Sequence, residues 1–402
     1  MLPRINGPIG DCFCDDEAIN VVTVRLHLAI CCLSTAFVVY SALGAACDAR
    51  ATNLFYAADC LQVSSLDPAT DLDEDGISDS CEQDLAEKFA PIIFHSSDES
   101  NYPTNVDWFL ARTKLAFASV AHPELNRLIS DKVSQHELLG HAIQIGTQSI
   151  RSDGTRSQRK RDTFYLQDVD ERSRAGSAAS KDWTTYYHAY QNEAGGITVQ
   201  YWRFYAYNDA FDNHGGDWEG IQIHLDNHLQ PLRVGLLGHT SIDSVPFSEF
   251  QQSGGHVFIF SEGGGHASRR NGNGIRARNC RGGFFGSLFC TIHLNNPQTF
   301  TKQECWTGGT VSWFDGKRAV TGPLLNIGEK IKPLNEQFFI RYSGLWGSPS
   351  RFPASPTFFS FSGYWGPAFN ETGMTGDGFI RAWCTDMAQP ARGECLPDDK
   401  SE

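Results

Sequence analysis

The pattern of polar and apolar residues predicts a chain built mainly from short β-strands. Residues 218–225 alternate strictly, which places Ile221, Ile223 and Leu225 on one face of a strand. Residues 197–207 are dense in aromatic and β-branched side chains, as a buried strand requires. Further strands are predicted at residues 163–167, 184–191, 232–238 and 256–262. Turn signals separate these stretches at the spacing of a β-sandwich or jelly roll, so we expect an all-β fold with a few short helices.

Helical patterns are scarce. A helix is predicted at residues 80–89 and ends before Pro91, and residues 121–143 carry the other sustained helical pattern. The segment around Trp108 is interpreted as a strand. Aromatic residues make up 12% of the chain and glycines number 38, a mixture that favours many strands joined by turns.

The net charge of −14 argues against nucleic acid as a partner. Two basic runs, residues 151–161 and 269–281, are rich in Gly, Ser and Asn and are interpreted as solvated loops.

The N-terminal region is predicted to direct export. Residues 26–46 form an apolar run that follows Arg25 and ends in small residues, as in a secretory signal peptide cleaved before Cys47. The acidic residues upstream are foreign to such a signal, and a start codon placed too far upstream explains them. A retained membrane anchor and a lipoprotein modified at Cys47 are the alternatives. The organisation predicted is a signal peptide or anchor at residues 1–46, an N-terminal segment at 47–84 and a β-domain at 85–395.

Eight cysteines follow the signal, an even number that suggests disulfides in an exported protein. They are Cys47, Cys60, Cys81, Cys280, Cys290, Cys305, Cys384 and Cys395. The short separations favour Cys280–Cys290 and Cys384–Cys395. The absence of a CxxC spacing argues against a structural zinc site.

The sharpest local motif is DLDEDGISDSCE, residues 71–82, which matches a twelve-residue calcium loop. Its ligand positions are filled by Asp71, Asp73, Asp75, Ile77 through its carbonyl, Asp79 and Glu82. Gly76 stands where the loop turns sharply. We expect a structural Ca²⁺ here; the alternative is an acidic loop in which Asp79 caps the following helix.

A second acidic cluster lies in the stretch YWRFYAYNDAFDNHGGDWEGIQIHLD, residues 201–226. Asp217 and Glu219 share one face of a strand, and two neighbouring carboxylates repel unless a proton or cation lies between them. His214 offers a nitrogen ligand from the preceding loop, and Asp209 or Asp212 adds an oxygen. These residues predict a site for Ca²⁺, Mg²⁺ or Mn²⁺. The alternative is a hairpin mouth in which the aspartates are turn formers.

His266 follows three glycines at the end of the predicted strand 256–262. Glycines let a backbone come close to a ligand, so His266 is predicted to lie near the acidic cluster. His266 and Asp212 are predicted to lie behind the residues that bind the metal.

Three stretches resemble the vacuolar protein sorting-associated protein 62 family. They are LAEKFAPIIFHSSDESNYPTNVDWFL, YWRFYAYNDAFDNHGGDWEGIQIHL and HVFIFSEGGGHAS, in that order along the chain. The resemblance covers about residues 85–383 and implies a β-sandwich domain of that type for residues 85–395. The family name does not imply an activity.

Residues 213–219, NHGGDWE, also resemble the signature heptapeptide of the necrosis- and ethylene-inducing-like proteins, which are secreted β-sandwich toxins. That resemblance implies a divalent cation held by the residues Asp209, His214, Asp217 and Glu219, and engagement of sphingolipid head groups. This chain departs from the signature at Gly216, where the toxins have a second histidine, and at Asn213, where they have glycine. Both departures put the cytolytic activity in doubt.

These features together predict an exported metal-binding protein that recognises a membrane lipid or glycan surface and is toxin-like. The chain contains no Ser-His-Asp pattern, P-loop or GxSxG elbow, which argues against an enzyme. Two alternatives remain: a metal-dependent hydrolase of phosphoester or glycosidic bonds, with Glu219 or His266 handling a proton, and a purely structural surface protein.

Overall fold

The computed structural model describes thirteen stretches of the chain. They are residue 60 and residues 69–96, 99–119, 122–141, 163–192, 195–209, 213–238, 242–271, 300–307, 310–314, 319–330, 332–348 and 366–369. The predicted signal segment, Asp212 and the cysteine pairs Cys280–Cys290 and Cys384–Cys395 lie outside the described residues. Strands dominate the described part, as expected, and no helix in it is long and apolar enough to cross a membrane.

The described residues form three α-helices and fifteen strands. The α-helices are α1 (Asp79–Phe89), α2 (Val106–Leu110) and α3 (Gln135–Leu139). The strands are β1 (Ile92–Ser96), β2 (Leu115–Ala118), β3 (Arg127–Ser130), β4 (Thr163–Leu166), β5 (Thr185–Gln191), β6 (Ile197–Asn208), β7 (His214–Leu225), β8 (Pro231–Leu237), β9 (Ile242–Pro246), β10 (Gln252–Ser253), β11 (His256–Ser261), β12 (Ser268–Arg269), β13 (Phe300–Thr307), β14 (Thr310–Phe314) and β15 (Ala319–Asn326). Short 3-10 helices occupy Pro123–Leu125, Glu171–Ser173, Ser180–Asp182, Phe247–Glu249, Phe338–Arg341 and Pro367–Phe369.

Most strands belong to one large sheet. Its order is β10-β11-β1-β13-β14-β15-β5-β6-β7-β8-β9, with β12 paired to β11. We call β10, β11, β1, β13, β14 and β15, together with β12, the first half of the sheet. The second half is β5 to β9. The halves are joined by a parallel contact of three residue pairs between β15 and β5, which ends at Asn326 opposite Tyr187. We call this contact the joint. A separate small sheet has the order β3-β2-β4.

Both halves contribute to one apolar core. It contains Ile93 of β1 and Ile259 of β11 from the first half, and Ile221 and Ile223 of β7 from the second. Helix α1 adds Cys81, Leu85, Ala86 and Phe89 to the same core. Because the alternating apolar residues of β7 lie here, the predicted inward face of that strand is confirmed. The finer sandwich or jelly-roll arrangement stays a prediction.

The opposite face of the second half packs on a second core of aromatic rings. Phe204 and Trp218 lie side by side across β6 and β7, with ring centroids 4.8 Å apart, and Trp346 packs 5.0 Å from Phe204. Every residue of β6 and β7 is therefore buried, whichever way its side chain points. Polar residues on these two strands must find partners inside the protein.

Two predicted elements are wrong. Trp108 lies in α2, which begins because the Asn105 side chain accepts a hydrogen bond from the Trp108 N–H at 2.7 Å. Five residues are too few to display a helical period. The predicted helix at 121–143 is instead the 3-10 helix at Pro123, strand β3 and α3, which Ser134 caps. Pairing of β3 with β2 overrides the local helical pattern.

A disulfide joins Cys81 of α1 to Cys60, with Cα atoms 5.8 Å apart. Both cysteines are buried in the first core. The N-terminal segment is thus attached covalently to the helix that follows the acidic stretch 71–82, in keeping with the disulfides expected from the cysteine count.

Candidate functional site

Residues 71–82, here called the acidic loop, fold around their own carboxylates. The two Asp71 carboxylate oxygens accept hydrogen bonds from the N–H groups of Asp75, at 3.2 Å, and Gly76, at 3.0 Å. Asp75 accepts the Ile77 N–H at 2.7 Å. Gly76 has a φ of +91°, a left-handed conformation that glycine adopts without steric cost. These bonds curl the loop so that its acidic side chains converge.

The convergent carboxylates keep oxygens that no hydrogen-bond donor reaches. Such oxygens are both of Asp73, and one each of Asp75, Asp79 and Glu82. Two groups, Asp71 with Asp73 and Asp75, and Asp73 with Asp79 and Glu82, have ligand atoms within 4.8 Å of one another. Glu82 is fully buried. Buried anionic oxygens without donors are costly unless a cation binds them, so this loop could hold a metal ion.

The pKa values of the loop acids point to the same conclusion. Burial is the main cause that raises the pKa of Asp73 to about 7; His188 acts to lower that pKa, and neighbouring carboxylates act to raise it. Burial and then Asp73 raise the pKa of Asp75 to about 8. Burial also raises the pKa of Glu82 well above its ordinary value. Without a cation the loop therefore holds protons near neutral pH, because buried ionised carboxylates lose hydration and repel one another.

One buried and one exposed contact tie the acidic loop to the rest of the fold, and a third contact closes the loop itself. Asn326, the last residue of β15, donates its side-chain N–H to Glu82 Oε2 at 2.9 Å. Lys332 forms an exposed ion pair with Glu74 at 2.6 Å. The Asp79 N–H bonds to the Thr70 carbonyl at 2.9 Å, which closes the loop where α1 begins. The loop thus lies against the joint.

A second candidate site lies where β6 and β7 leave the first core. We call it the central site: Glu99, Asn208, His214, Asp217, Glu219 and His266. In the antiparallel pair β6–β7, Asp217 lies opposite Tyr205 and Glu219 opposite Arg203. Asp217 and Glu219 therefore share one face with Arg203 and Tyr205, as alternation predicts.

His266 is the centre of the hydrogen bonds at this site. Its Nδ1 lies 2.8 Å from Asp217 Oδ2, and its Nε2 lies 3.7 Å from Glu99 Oε2. Its ring stacks on Tyr205, with centroids 3.7 Å apart and planes 3° from parallel. Burial lowers the pKa of His266, but the Glu99 and Asp217 carboxylates raise it more, so the net pKa is above the ordinary value. A protonated imidazole here bridges two carboxylates.

The backbone around His266 adopts an unusual conformation. His266 has a φ of +56°, and its N–H bonds to the Glu262 carbonyl at 2.8 Å. Two residues earlier, the Gly264 N–H donates to Glu99 Oε2 at 2.8 Å. A left-handed residue without glycine's freedom is typical of sites where surrounding contacts hold the backbone in place. The glycine run thus lets the backbone approach a carboxylate, as its sequence suggested.

Glu99 was not predicted, although it completes the site. Its Oε1 accepts the Asn101 N–H at 2.7 Å. β1 and β11 are parallel neighbours, with His95 opposite Ser261, so the segments after them leave at the same edge of the sheet. Only that pairing brings Glu99 to His266. The local sequence does not distinguish Glu99 from other acids in the polar loop.

Of the other predicted residues, His214 lies nearest to Asp217. His214 begins β7 and is not a loop residue, and its Nε2 lies 3.9 Å from Asp217 Oδ1. Asn208 lies opposite His214, and its side-chain N–H lies 3.4 Å from Asp217 Oδ2. Asp209 lies beside the His266 turn, with its N–H bonded to the Gly264 carbonyl at 2.8 Å. Asp212 lies outside the described residues.

Gly216 occupies the position where the toxin signature has its second histidine. Its φ is +57°, and a Cβ there would overlap the Trp346 carbonyl oxygen and lie 2.7 Å from the carbonyl carbon. The chain therefore has no room for a side chain at this position. Its departure from the signature is dictated by packing against Trp346.

Comparison with known proteins finds structures that correspond to the weaker of the two resemblances, that to the necrosis- and ethylene-inducing-like proteins. Neither a protein-family model nor a curated protein matches the chain, so the resemblance to the vacuolar protein sorting-associated protein 62 family gains no support. Among solved structures, a necrosis and ethylene inducing protein 2 from the causal agent of cocoa's Witches Broom disease matches at 12% identity and a TM-score of 0.26. The match covers 46% of this chain and 67% of that one.

The protein NLPPya matches in its complexes with mannosamine and with glucosamine. Both matches have 10% identity and cover 64% of this chain and 76% of the other, with TM-scores of 0.28 and 0.30. Similarity at this level establishes neither a common fold nor a common function.

Because the acids of the acidic loop have raised pKa values, we expect the free energy of unfolding of the protein to fall as pH rises when calcium is absent. The folded chain keeps protons on Asp73 and Asp75 up to about pH 7 and 8, whereas the unfolded chain releases them near 3.8. The stabilisation of the folded state by these two protonated acids is complete below pH 3.8 and is lost as pH rises through 7 to 8. Urea unfolding in EGTA at about pH 5, 7 and 9 measures this trend. A free energy of unfolding that rises across this range contradicts the structure.

Millimolar calcium is expected to abolish that fall and raise the melting temperature, because a ligand that binds only the folded state stabilises it by about 2.7 kcal/mol at a hundredfold excess over Kd. Asp73→Asn should remove the calcium-dependent increase. Glu74→Gln is the matched control, since Glu74 is exposed and contacts a surface lysine. Equal calcium responses in the two variants would exclude the loop as the binding site.

Gly216→Ala is expected to cost more stability than a left-handed backbone alone explains. Gly195→Ala is the control, because Gly195 has a φ of +75° but a Cβ added there would meet no atom within 4 Å. The control should lose about 1–2 kcal/mol for the left-handed alanine. Gly216→Ala adds the overlap with Trp346 and should lose more, or prevent folding. Urea denaturation of both variants gives the comparison, and equal losses would refute the steric account.

Proposed function

We propose that this chain is an exported protein that binds two divalent cations and recognises a glycan or membrane-lipid head group at the central site. The observation that carries the metal part is the set of buried carboxylate oxygens in the acidic loop that lack hydrogen-bond donors. Oxygen ligands at the spacing of a calcium loop suit Ca²⁺, which millimolar concentrations outside cells keep bound. The disulfide Cys60–Cys81 accords with export.

The second cation is proposed at the central site, held by Asp209, His214, Asp217 and Glu219. Support comes from Asp217, whose two oxygens face the imidazoles of His214 and His266 at 3.9 and 2.8 Å. Carboxylate oxygens combined with imidazole nitrogens suit Mg²⁺ or Mn²⁺ as well as Ca²⁺. Among the described residues, only the acidic loop brings three or more such ligand atoms within 4.8 Å of one another, so the central cation is expected to bind more weakly.

His266 is proposed to regulate access of the cation. Its bond to Asp217 and its proximity to Glu99 give Asp217 a partner when no cation is bound. A bound cation would supply the positive charge that attracts hydroxyl and phosphate oxygens of a ligand. Asn208, the last residue of β6, and Asp209, which follows it, lie beside this site and can orient such a ligand.

A structural role for the central site is the competing proposal. Asp217 is fully buried, and Arg203 lies on the same strand face one residue pair further along. Two buried cationic side chains, Arg203 and His266, can balance the central carboxylates without a metal. In that case only the acidic loop would bind a cation, and the central site would hold the two halves of the sheet together.

Metal content decides between the two proposals. Elemental analysis with calcium and manganese titration should give two divalent cations per wild-type chain. Asp217→Ala and Glu219→Ala should each lose one cation and keep that of the acidic loop, Asp73→Asn should lose at least the cation of the acidic loop, and Asp131→Asn, at an exposed position, should lose none. One cation in wild type that disappears only with Asp73→Asn would make the central site structural.

Ligand recognition is tested separately on glycan arrays and on vesicles that contain glycosylated sphingolipids. Binding should require a divalent cation and weaken at least about tenfold in Asp217→Ala, as for loss of a buried charged contact. Asp131→Asn should bind like wild type. Binding that is unchanged by EDTA and by Asp217→Ala would place the ligand elsewhere.

A further inference from the structure

The acidic loop and the central site are connected by a short, rigid route. Glu82 is both a carboxylate of the acidic loop and part of the first turn of α1. α1 ends at Phe89, and β1 begins three residues later and leads to Glu99. The α1 part of this route is packed, because Leu85, Ala86 and Phe89 lie in the first core.

Hydrogen bonds hold this route against both halves of the sheet. The Tyr201 hydroxyl of β6 donates to the Ala86 carbonyl at 2.9 Å. At the other end, the Ala90 carbonyl lies 2.7 Å from His256 Nδ1, at the start of β11. α1 is therefore bonded to β6 of the second half, and the residue that follows α1 is bonded to β11 of the first half.

The joint is the short link that this route braces. It has three residue pairs, whereas β6 and β7 pair along almost their whole length. Beside it lies a cavity of about 330 Å³, lined by Leu72 and Asp79 of the acidic loop and by Leu324, Asn326 and Leu334. Side-chain packing at the joint is thus incomplete. The Asn326–Glu82 hydrogen bond crosses this place and connects residues 244 positions apart.

The central site takes its members from both sides of the joint. Glu99 and His266 follow β1 and β11 of the first half, while Asp217 belongs to β7 of the second. The His266–Asp217 bond therefore spans the two halves.

We propose that a cation bound in the acidic loop sets the position of Glu99 and His266 relative to Asp217, so that the central site is assembled only when the loop is filled. With a cation, Glu82 is held between the metal and Asn326. Without one, the converging loop carboxylates repel, water enters the loop, and the joint loosens. α1 passes this change to Glu99. The coupling rests on the proposed function for its biological role, but its test measures only the exchange of backbone amide hydrogens.

Amide hydrogen exchange resolved at single residues tests the coupling. Two amides report on the central site directly, because the N–H groups of Asn101 and Gly264 both donate to the Glu99 carboxylate. Loop variants are used in constant calcium, since a chelator would also remove a cation from the central site. Asp73→Asn removes a loop ligand, and Asn326→Ala removes the contact between Glu82 and β15.

Both variants are expected to speed exchange at Asn101 and Gly264 by about tenfold or more, while Glu74→Gln leaves it unchanged. Amides in the middle of β6 and β7 should keep their protection. Faster exchange confined to the acidic loop would overturn the coupling. Equal acceleration across β6 and β7 would also overturn it, because calcium would then stabilise the whole fold. A failed proposed function gives a different result, an unchanged metal content in Asp217→Ala, and is therefore distinguishable.

Discussion

The burial of β6 and β7 on both faces is the constraint on which the rest of the structure depends. All twelve residues of each strand are buried, although both strands contain polar and charged side chains. Inside a low-dielectric core each such group needs a partner. Gln200 accordingly bonds to Gln222, and Thr198 to His224, across the pair. Near the end of the strands the partners must come from elsewhere, and His266 reaches Asp217 from the first half of the sheet.

That requirement explains why the central site contains both signs of charge. A lone buried carboxylate at Asp217 would be strongly destabilising, whereas Asp217 with His266, Glu99 and Arg203 nearby is a network whose charges compensate. Such networks favour one arrangement of the strands over others.

The acidic loop follows the opposite logic. In the described structure the converging carboxylates form no ion pair: Lys332 pairs with the exposed Glu74, and His188, which acts on Asp73, is bonded to Glu329 at 2.8 Å. Either protons or a cation can therefore neutralise the loop. Buried carboxylates are thus balanced by basic side chains at the central site, and by protons or a cation in the acidic loop. α1 lies between the two sites.

Local sequence determined the parts of this protein whose physics is local. The twelve residues of the acidic loop contain their own turn, converging carboxylates and helix start, so their pattern alone predicted a curled acidic loop followed by α1. Strict alternation likewise placed Asp217 and Glu219 on the face that carries Ile221. α2 was missed although an asparagine cap was present, because a five-residue helix has no period to read.

Only the tertiary structure decided what surrounds these elements. Glu99 and Gly264 are 165 residues apart, and parallel pairing of β1 with β11 brings them together. Residues 127–130 became a strand because β2 was available to pair with them. Gly216 cannot carry a side chain because Trp346 packs against it from a distant part of the chain. Alternation specifies the face on which a side chain lies, but the partner across that face comes from chain segments that are distant in sequence.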